Sequence, residues 1–224
     1  MKLANLCRHV ETAGLSLRGA FHVRPEDGMP AIGGCPVATL VLLGWADGRQ
    51  WPHFAVAPEA ADGLPHPLDR WSKRVVDAMA GEFGALALYP FGGPPYWPFQ
   101  RWAQRGDTVF ASPLGIYVHP AHGLWHSYRG ALAFAERLDL PPRLEMAHPC
   151  RTCAAQPCLG TCPVGAFTPA GYDVERCVQH VRSAEGSACR QGGCLARRAC
   201  PVAPDKAYGP EEAGFYMKAF LAAH

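Results

Sequence analysis

Apolar residues recur at steps of three and four from Leu3 to Leu15, with Leu3, Leu6, Cys7 and Val10 on one face, and this spacing predicts a short amphipathic helix. Ser16 to Val23 and Ala38 to Trp45 read as strands, the second apolar enough throughout to be buried on both faces. Pro67 stands at a first helical position, and Leu68, Trp71, Val75, Met79 and Phe83 follow at helical steps. Gly84 caps that helix, and Ala85 to Tyr89 enters another strand. Phe91 to Phe99 holds too many Gly, Pro and aromatic residues for either element and predicts an ordered loop. Further strands are expected at Gly115 to His119 and Trp125 to Phe134. A Pro-rich hinge, Leu140 to Leu144, divides this α+β region, residues 1–146, from residues 147–224. Beyond it the pattern breaks into short pieces. Only the tail from Glu211 to Ala222 is periodic, with Phe215, Met217, Phe220 and Leu221 as its anchors.

Composition sharpens this division. Twenty-four Gly and 22 Pro in 224 residues argue against a helical bundle. The formal charge of +2 and the lack of a Lys/Arg block carry no polyelectrolyte signature, so no nucleic-acid partner is expected. The opening residues show no export signal, and the longest apolar run, Pro36 to Trp45, is about half of a membrane span. The expectation is therefore a cytoplasmic protein with no membrane partner. In that reducing setting, clustered thiols point to metal ahead of disulfides, although disulfides stay open as an alternative.

The chemistry lies in the cysteines, eight of the ten falling between Cys150 and Cys200. They run Cys150-x2-Cys153-x4-Cys158-x3-Cys162-Pro163, then Cys177, then Cys189-x4-Cys194-x5-Cys200-Pro201. An iron–sulfur cubane requires four thiolates around a compact inorganic core, commonly three from a tight loop and one from a distant part of the chain. Structural zinc is the alternative, but it favours paired Cys-x2-Cys knuckles, and Cys150/Cys153 is the one such pair in this run. Cys7 and Cys35 read as small apolar residues.

Cys162-Pro-Val-Gly-Ala-Phe167 and Arg176-Cys177 resemble the corresponding turns of the bacterial dicluster ferredoxins. In those proteins the Cys before Pro serves the other cluster. The resemblance implies one [4Fe–4S] cluster on Cys150, Cys153, Cys158 and Cys200, and a second on Cys162, Cys177, Cys189 and Cys194. The x4 and x5 spacings depart from the family and leave the places of Cys158, Cys189 and Cys194 open, as well as a 3Fe centre.

Gly115-Ile-Tyr-Val-His-Pro-Ala-His-Gly-Leu-Trp-His-Ser-Tyr-Arg-Gly130 is similar to a segment of the nitroreductase-like, cobalamin-handling group. That group comprises the CblC-type cobalamin-processing protein, epoxyqueuosine reductase and the corrinoid reductive dehalogenases. The resemblance implies a nitroreductase-like first domain joined to a ferredoxin-like two-cluster module. It also implies a site for cobalamin or FMN with His119, Trp125 and Arg129 as candidate cofactor-binding residues. Other roles stand beside these: His119, His122 and His126 as satisfied histidines, and Arg129 as an ion-pair residue. Tyr89 to Gly106 offers no acidic proton donor of the epoxyqueuosine reductase kind, so tRNA reduction is not expected. The leading expectation is an iron–sulfur electron-transfer protein, passing electrons to a redox partner protein or a small-molecule acceptor. An oxidoreductase whose clusters reduce a bound corrinoid or flavin is the alternative.

Overall fold

The computed structural model describes residues 3–94 and 96–224 of the chain. In chain order the elements begin with α1 (Leu3–Thr12), β1 (Ser16–His22), β2 (Thr39–Ala46), α2 (Trp51–Ala55), α3 (Pro58–Ala61) and α4 (Pro67–Phe83). There follow β3 (Leu86–Leu88), α5 (Phe99–Gly106), β4 (Phe110–Ala111), β5 (Tyr117–Val118) and β6 (His126–Phe134). The remainder is α6 (Pro157–Gly160), β7 (Phe167–Thr168), β8 (Gly171–Tyr172), α7 (Val174–Arg182), α8 (Ser187–Gly192), α9 (Leu195–Arg198) and α10 (Pro210–Ala222). Among the described residues no helix is long and apolar enough to cross a membrane.

The fold is mixed α and β and divides into two compact units. The first holds Met1–Thr108 and Ser127–Glu145, the second Val109–His126 and Met146–His224. The hinge expected at Leu140 to Leu144 lies at a passage between them. The segment Val109–His126, which sequence placed in the first domain, differs: it belongs to the second unit. The reason is burial, since its Leu114, Val118 and Leu124 share an apolar cluster with Cys158, Ala196 and Cys200.

The first unit is built on a four-stranded sheet of order β1-β2-β6-β3, in which β1 pairs antiparallel with β2 and β3 with β6. Every residue of β2 is buried, as its unbroken apolar run requires of a strand covered on both faces. Gly84 ends α4 in the left-handed region at φ 63°, its N–H bonding to Ala80 O. On α4 the buried face runs through Leu68, Trp71, Val76 and Met79; Val75 and Phe83, expected there, are half-buried. The helices α2, α3 and α5 were not legible in the sequence pattern, being at most eight residues long. α5 lies so close on β1 that a Cβ at Gly19 would stand 2.2 Å from Gly106 O.

A bulge in β1 between Leu17 and Gly19 turns Arg18 inward. Its guanidinium donates to Asp107 Oδ2 at 2.9 Å, and the Tyr128 hydroxyl donates to the same oxygen at 2.8 Å. The Thr108 N–H donates to Asp107 Oδ1 at 2.7 Å. Arg18 and Asp107 are buried, so this charge pair is held away from solvent, although Arg18 Nε meets no hydrogen-bond partner among the described residues.

In the second unit two short hairpins and five helices surround the cysteines. The hairpin β4–β5 continues through a bridge between His119 and Gly123. Gly123 adopts φ 57°, and a Cβ there would meet Val202 O at 2.2 Å, so glycine is needed for the close approach to the segment after Cys200. The strand expected over Gly115 to His119 is shortened to Tyr117–Val118 by the left-handed turn at Gly115 and by Pro120, which has no N–H to donate. α10 packs against α8 and α7, and its buried residues are Glu212 and Ala213; Phe215, Met217, Phe220 and Leu221, expected as its anchors, are half-buried.

Candidate metal centre

The cysteines are carried by short turns and short helices. Cys150 follows Pro149 in a single helical turn, its N–H donating to His148 Nδ1 at 3.2 Å. Cys158 lies on α6, started by Pro157. The Cys162-Pro163 turn closes on Gly165 at φ 58°, and Ala166 N–H donates to Cys162 Sγ at 3.3 Å. Cys177 is on α7, capped by the Asp173 carboxylate, which accepts from Arg176 N at 3.0 Å. Cys189 is on α8, Cys194 is the residue before α9, and Cys200 lies two residues after its end, beyond Ala199. Cys158, Cys189 and Cys200 are buried, the other five half-buried, and none of the eight is in a disulfide.

Cysteines distant in sequence come together: Cys150, Cys158 and Cys200 pack in one apolar cluster, and Cys162, Cys177, Cys189 and Cys194 line one cavity. Cys150 feels the charges of Cys200, Cys158 and Cys153, and Cys158 those of Cys200 and Cys153. Cys177 feels Cys162 and Cys189, and Cys194 feels Cys189 and Cys177. Residues as distant in sequence as Cys150 and Cys200 are therefore neighbours. Among the described residues no three His, Cys, Asp or Glu side chains meet at the spacing of a single metal ion.

Burial is the main cause that pushes the Cys150, Cys158, Cys177 and Cys194 thiols above their ordinary range, and repulsion between neighbouring thiolates adds to it. Nearby donors oppose it, the backbone N–H groups of Ala196 and Arg197 at Cys194 and the Tyr172 hydroxyl at Cys177 lowering those shifts. A buried quartet of thiols that resists ionisation alone is stabilised as thiolates by a positively charged metal core, so the donor set fits an iron–sulfur cluster in each place.

The shell around the sulfurs is apolar. Leu114, Val118, Leu124 and Ala196 pack with Cys158 and Cys200, and Cys150, Cys162 and Cys194 lie against the same cluster. Cys162, Cys177, Cys189 and Cys194 line a small cavity of about 20 Å³ that Val164, Phe167, Val181 and Met217 also wall. Such a shell lowers the local dielectric and limits water at the sulfurs.

The residues expected to bind an organic cofactor are placed separately. His119 and Trp125 belong to the second unit, Arg129 to the first. His119 Nδ1 accepts from Ala121 N at 3.0 Å, and its ring lies 4.6 Å from that of His122. Trp125 is buried edge-on to Tyr208 at 5.3 Å, with the Arg197 guanidinium over its ring at 4.5 Å. Arg129 donates to Ser72 Oγ at 3.0 Å, pairs with the Asp69 carboxylate and lies over the Phe91 ring at 5.6 Å. Three residues of this region escaped the sequence reading. Tyr172 stands opposite Phe167 in the β7–β8 hairpin, a juxtaposition that the turn residues Pro169 to Gly171 signal in retrospect. Glu212 and Arg197 carried no signal, being charged residues of a helical pattern that packing later buries.

No family model matches the chain, and no curated protein matches it. Among solved structures it is similar to a crystal structure of epoxyqueuosine reductase with an epoxyqueuosine-modified tRNA-Tyr stem loop, at TM-score 0.48 and 15% identity, over 94% of this chain and 70% of that one. That enzyme is a member of the group named above from the Gly115–Gly130 resemblance. The expectation of no nucleic-acid partner is corrected by this finding, because the matched enzyme was crystallised holding a tRNA stem loop.

Proposed function

We propose that the chain is an iron–sulfur electron-transfer protein, carrying two [4Fe–4S] clusters in its second unit and using a nitroreductase-like first unit as a docking scaffold for a redox partner. The observation that supports this reading is the gathering of cysteines from distant parts of the chain, Cys150, Cys158 and Cys200 in one apolar cluster and Cys162, Cys177, Cys189 and Cys194 around one cavity. When bound, each cluster accepts and releases one electron at a time. The protein's part is to hold the charge. Cys150, Cys153, Cys158 and Cys200 supply one set of thiolates, and Cys162, Cys177, Cys189 and Cys194 the other. The Ala166 N–H directs partial positive charge at the Cys162 sulfur, and the apolar shell keeps bulk water from the thiols.

His119, Trp125 and Arg129 each engage protein groups, which supports the scaffold reading over a corrinoid or flavin site. Protein purified anaerobically should be brown and carry about eight iron atoms per chain with matching labile sulfide, four for each cluster. Stoichiometric zinc without sulfide overturns the proposal. A shift in the spectrum of cob(II)alamin or FMN on titration with the protein returns the corrinoid or flavin reductase reading.

A further inference from the structure

We propose that the groove between α1 and α4 in the first unit binds a small amphipathic anion, a carboxylate carried on an unbranched aliphatic chain. The groove follows from how α1 is tied to its neighbours. At one end His9 Nε2 lies 3.1 Å from Glu82 Oε1, and the His9 ring meets Phe83 edge-on at 5.1 Å. At the other end Gly14 runs so close to α2 that a Cβ there would stand 2.5 Å from His53 Cβ. Between these ties the groove is lined by small residues, Ala13 from α1 and Ala78 from α4, and a space of about 740 Å³ is left. That volume falls within the range of small-molecule sites, roughly 300–1,000 Å³. Its floor is apolar and buried, Trp71 at 2% and Met79 at 4% exposure, with half-buried Val75 beside them. On α4 the lining runs from Trp71 to Glu82, about 16 Å of helix, so the shape favours an extended chain over a compact ligand.

The polar walls select the head group. Asn5, Arg8 and Thr12 share the face of α1 that borders the groove. Asn5 Oδ1 accepts from Arg8 Nη2 at 3.2 Å, which holds the guanidinium on that face, and no carboxylate pairs with Arg8 among the described residues. Glu82 is already engaged by His9, and Arg74 on the opposite wall is engaged by Glu59 at 2.5 and 3.0 Å. Among the described arginines of the groove, Arg8 is therefore the one left to meet a ligand carboxylate, to which a guanidinium can offer two parallel N–H donors. An apolar floor below an uncommitted guanidinium suits a chain with one charged end better than an inorganic ion. Nothing in this site depends on the cysteines of the second unit.

The test is isothermal titration of the full chain with octanoate, with 1-octanol as the uncharged probe and acetate as the probe without a chain. Octanoate should bind about tenfold more tightly than either, since each control lacks one of the two anchors. Arg8→Gln should weaken octanoate about tenfold, the effect of losing a charge-assisted bond, and leave octanol unchanged. Ala78→Trp places an indole in the groove and should abolish octanoate binding. Both substituted positions are exposed, and circular dichroism should show wild-type helix content in both variants. Octanoate that fails to bind at millimolar concentration, or that binds either variant as it binds the wild type, overturns the inference. So does octanol or acetate that binds as tightly as octanoate.

Discussion

Replacing Glu212 with Gln should make the second unit less sensitive to alkaline pH. Glu212 is in the first turn of α10 at 2% exposure, and its Oε1 atom meets no hydrogen-bond partner among the described residues. Burial pushes its carboxyl up to about 7, against an ordinary 4.5, while the Arg197 guanidinium pulls the other way. The folded chain therefore holds this proton through a window in which the unfolded chain has released it. The resulting stability is complete below about pH 4.5 and is lost as pH rises through about 7. The gap between the two values corresponds to roughly 3 kcal/mol, since each tenfold change in proton affinity is about 1.4 kcal/mol. Gln is neutral throughout and never incurs that cost. Anaerobic urea denaturation of wild type and Glu212→Gln, compared from about pH 5.5 to pH 8.5, reads the difference. The two should approach each other at the acid end, and the variant should be more stable by roughly 2–3 kcal/mol at the alkaline end. A difference that does not change with pH, or one that favours wild type as pH rises, refutes the reasoning.

Replacing Cys153 or Cys162 with Ala should remove one quartet each, lowering iron from about eight to about four per chain and leaving the second unit open to protease, because metal binding supplies much of the folding free energy of so small a unit. Cys7→Ala, in the first unit, should leave iron content unchanged, as an iron assay reads directly. Asp107→Ala should destabilise the first unit by about 3–5 kcal/mol in a denaturant titration, since it leaves the Arg18 charge buried and unpaired. A loss under about 1 kcal/mol would mean that water or another group satisfies Arg18.

Local spacing determined much of this protein without help from tertiary contacts. The helix from Pro67 to Gly84 and the buried strand β2 are set by periodicity and by residues whose backbone preferences act over one turn. The resemblance of Cys162–Phe167 and Arg176–Cys177 to the dicluster ferredoxins implies a division of the eight cysteines into two sets, while the x4 and x5 spacings leave the places of Cys158, Cys189 and Cys194 open. Only the tertiary structure decided the rest. It assigned Val109–His126 to the cysteine unit, through Leu114, Val118 and Leu124, although in sequence that segment lies between elements of the sheet unit. It gave Arg129 the partners Asp69 and Ser72, about sixty positions earlier. It also buried Glu212 on a helix whose apolar residues had pointed to another face. Periodicity and turn chemistry act between residues a few positions apart, whereas burial, and with it the pairing of charges and the field at each sulfur, depends on which surfaces the folded chain brings together.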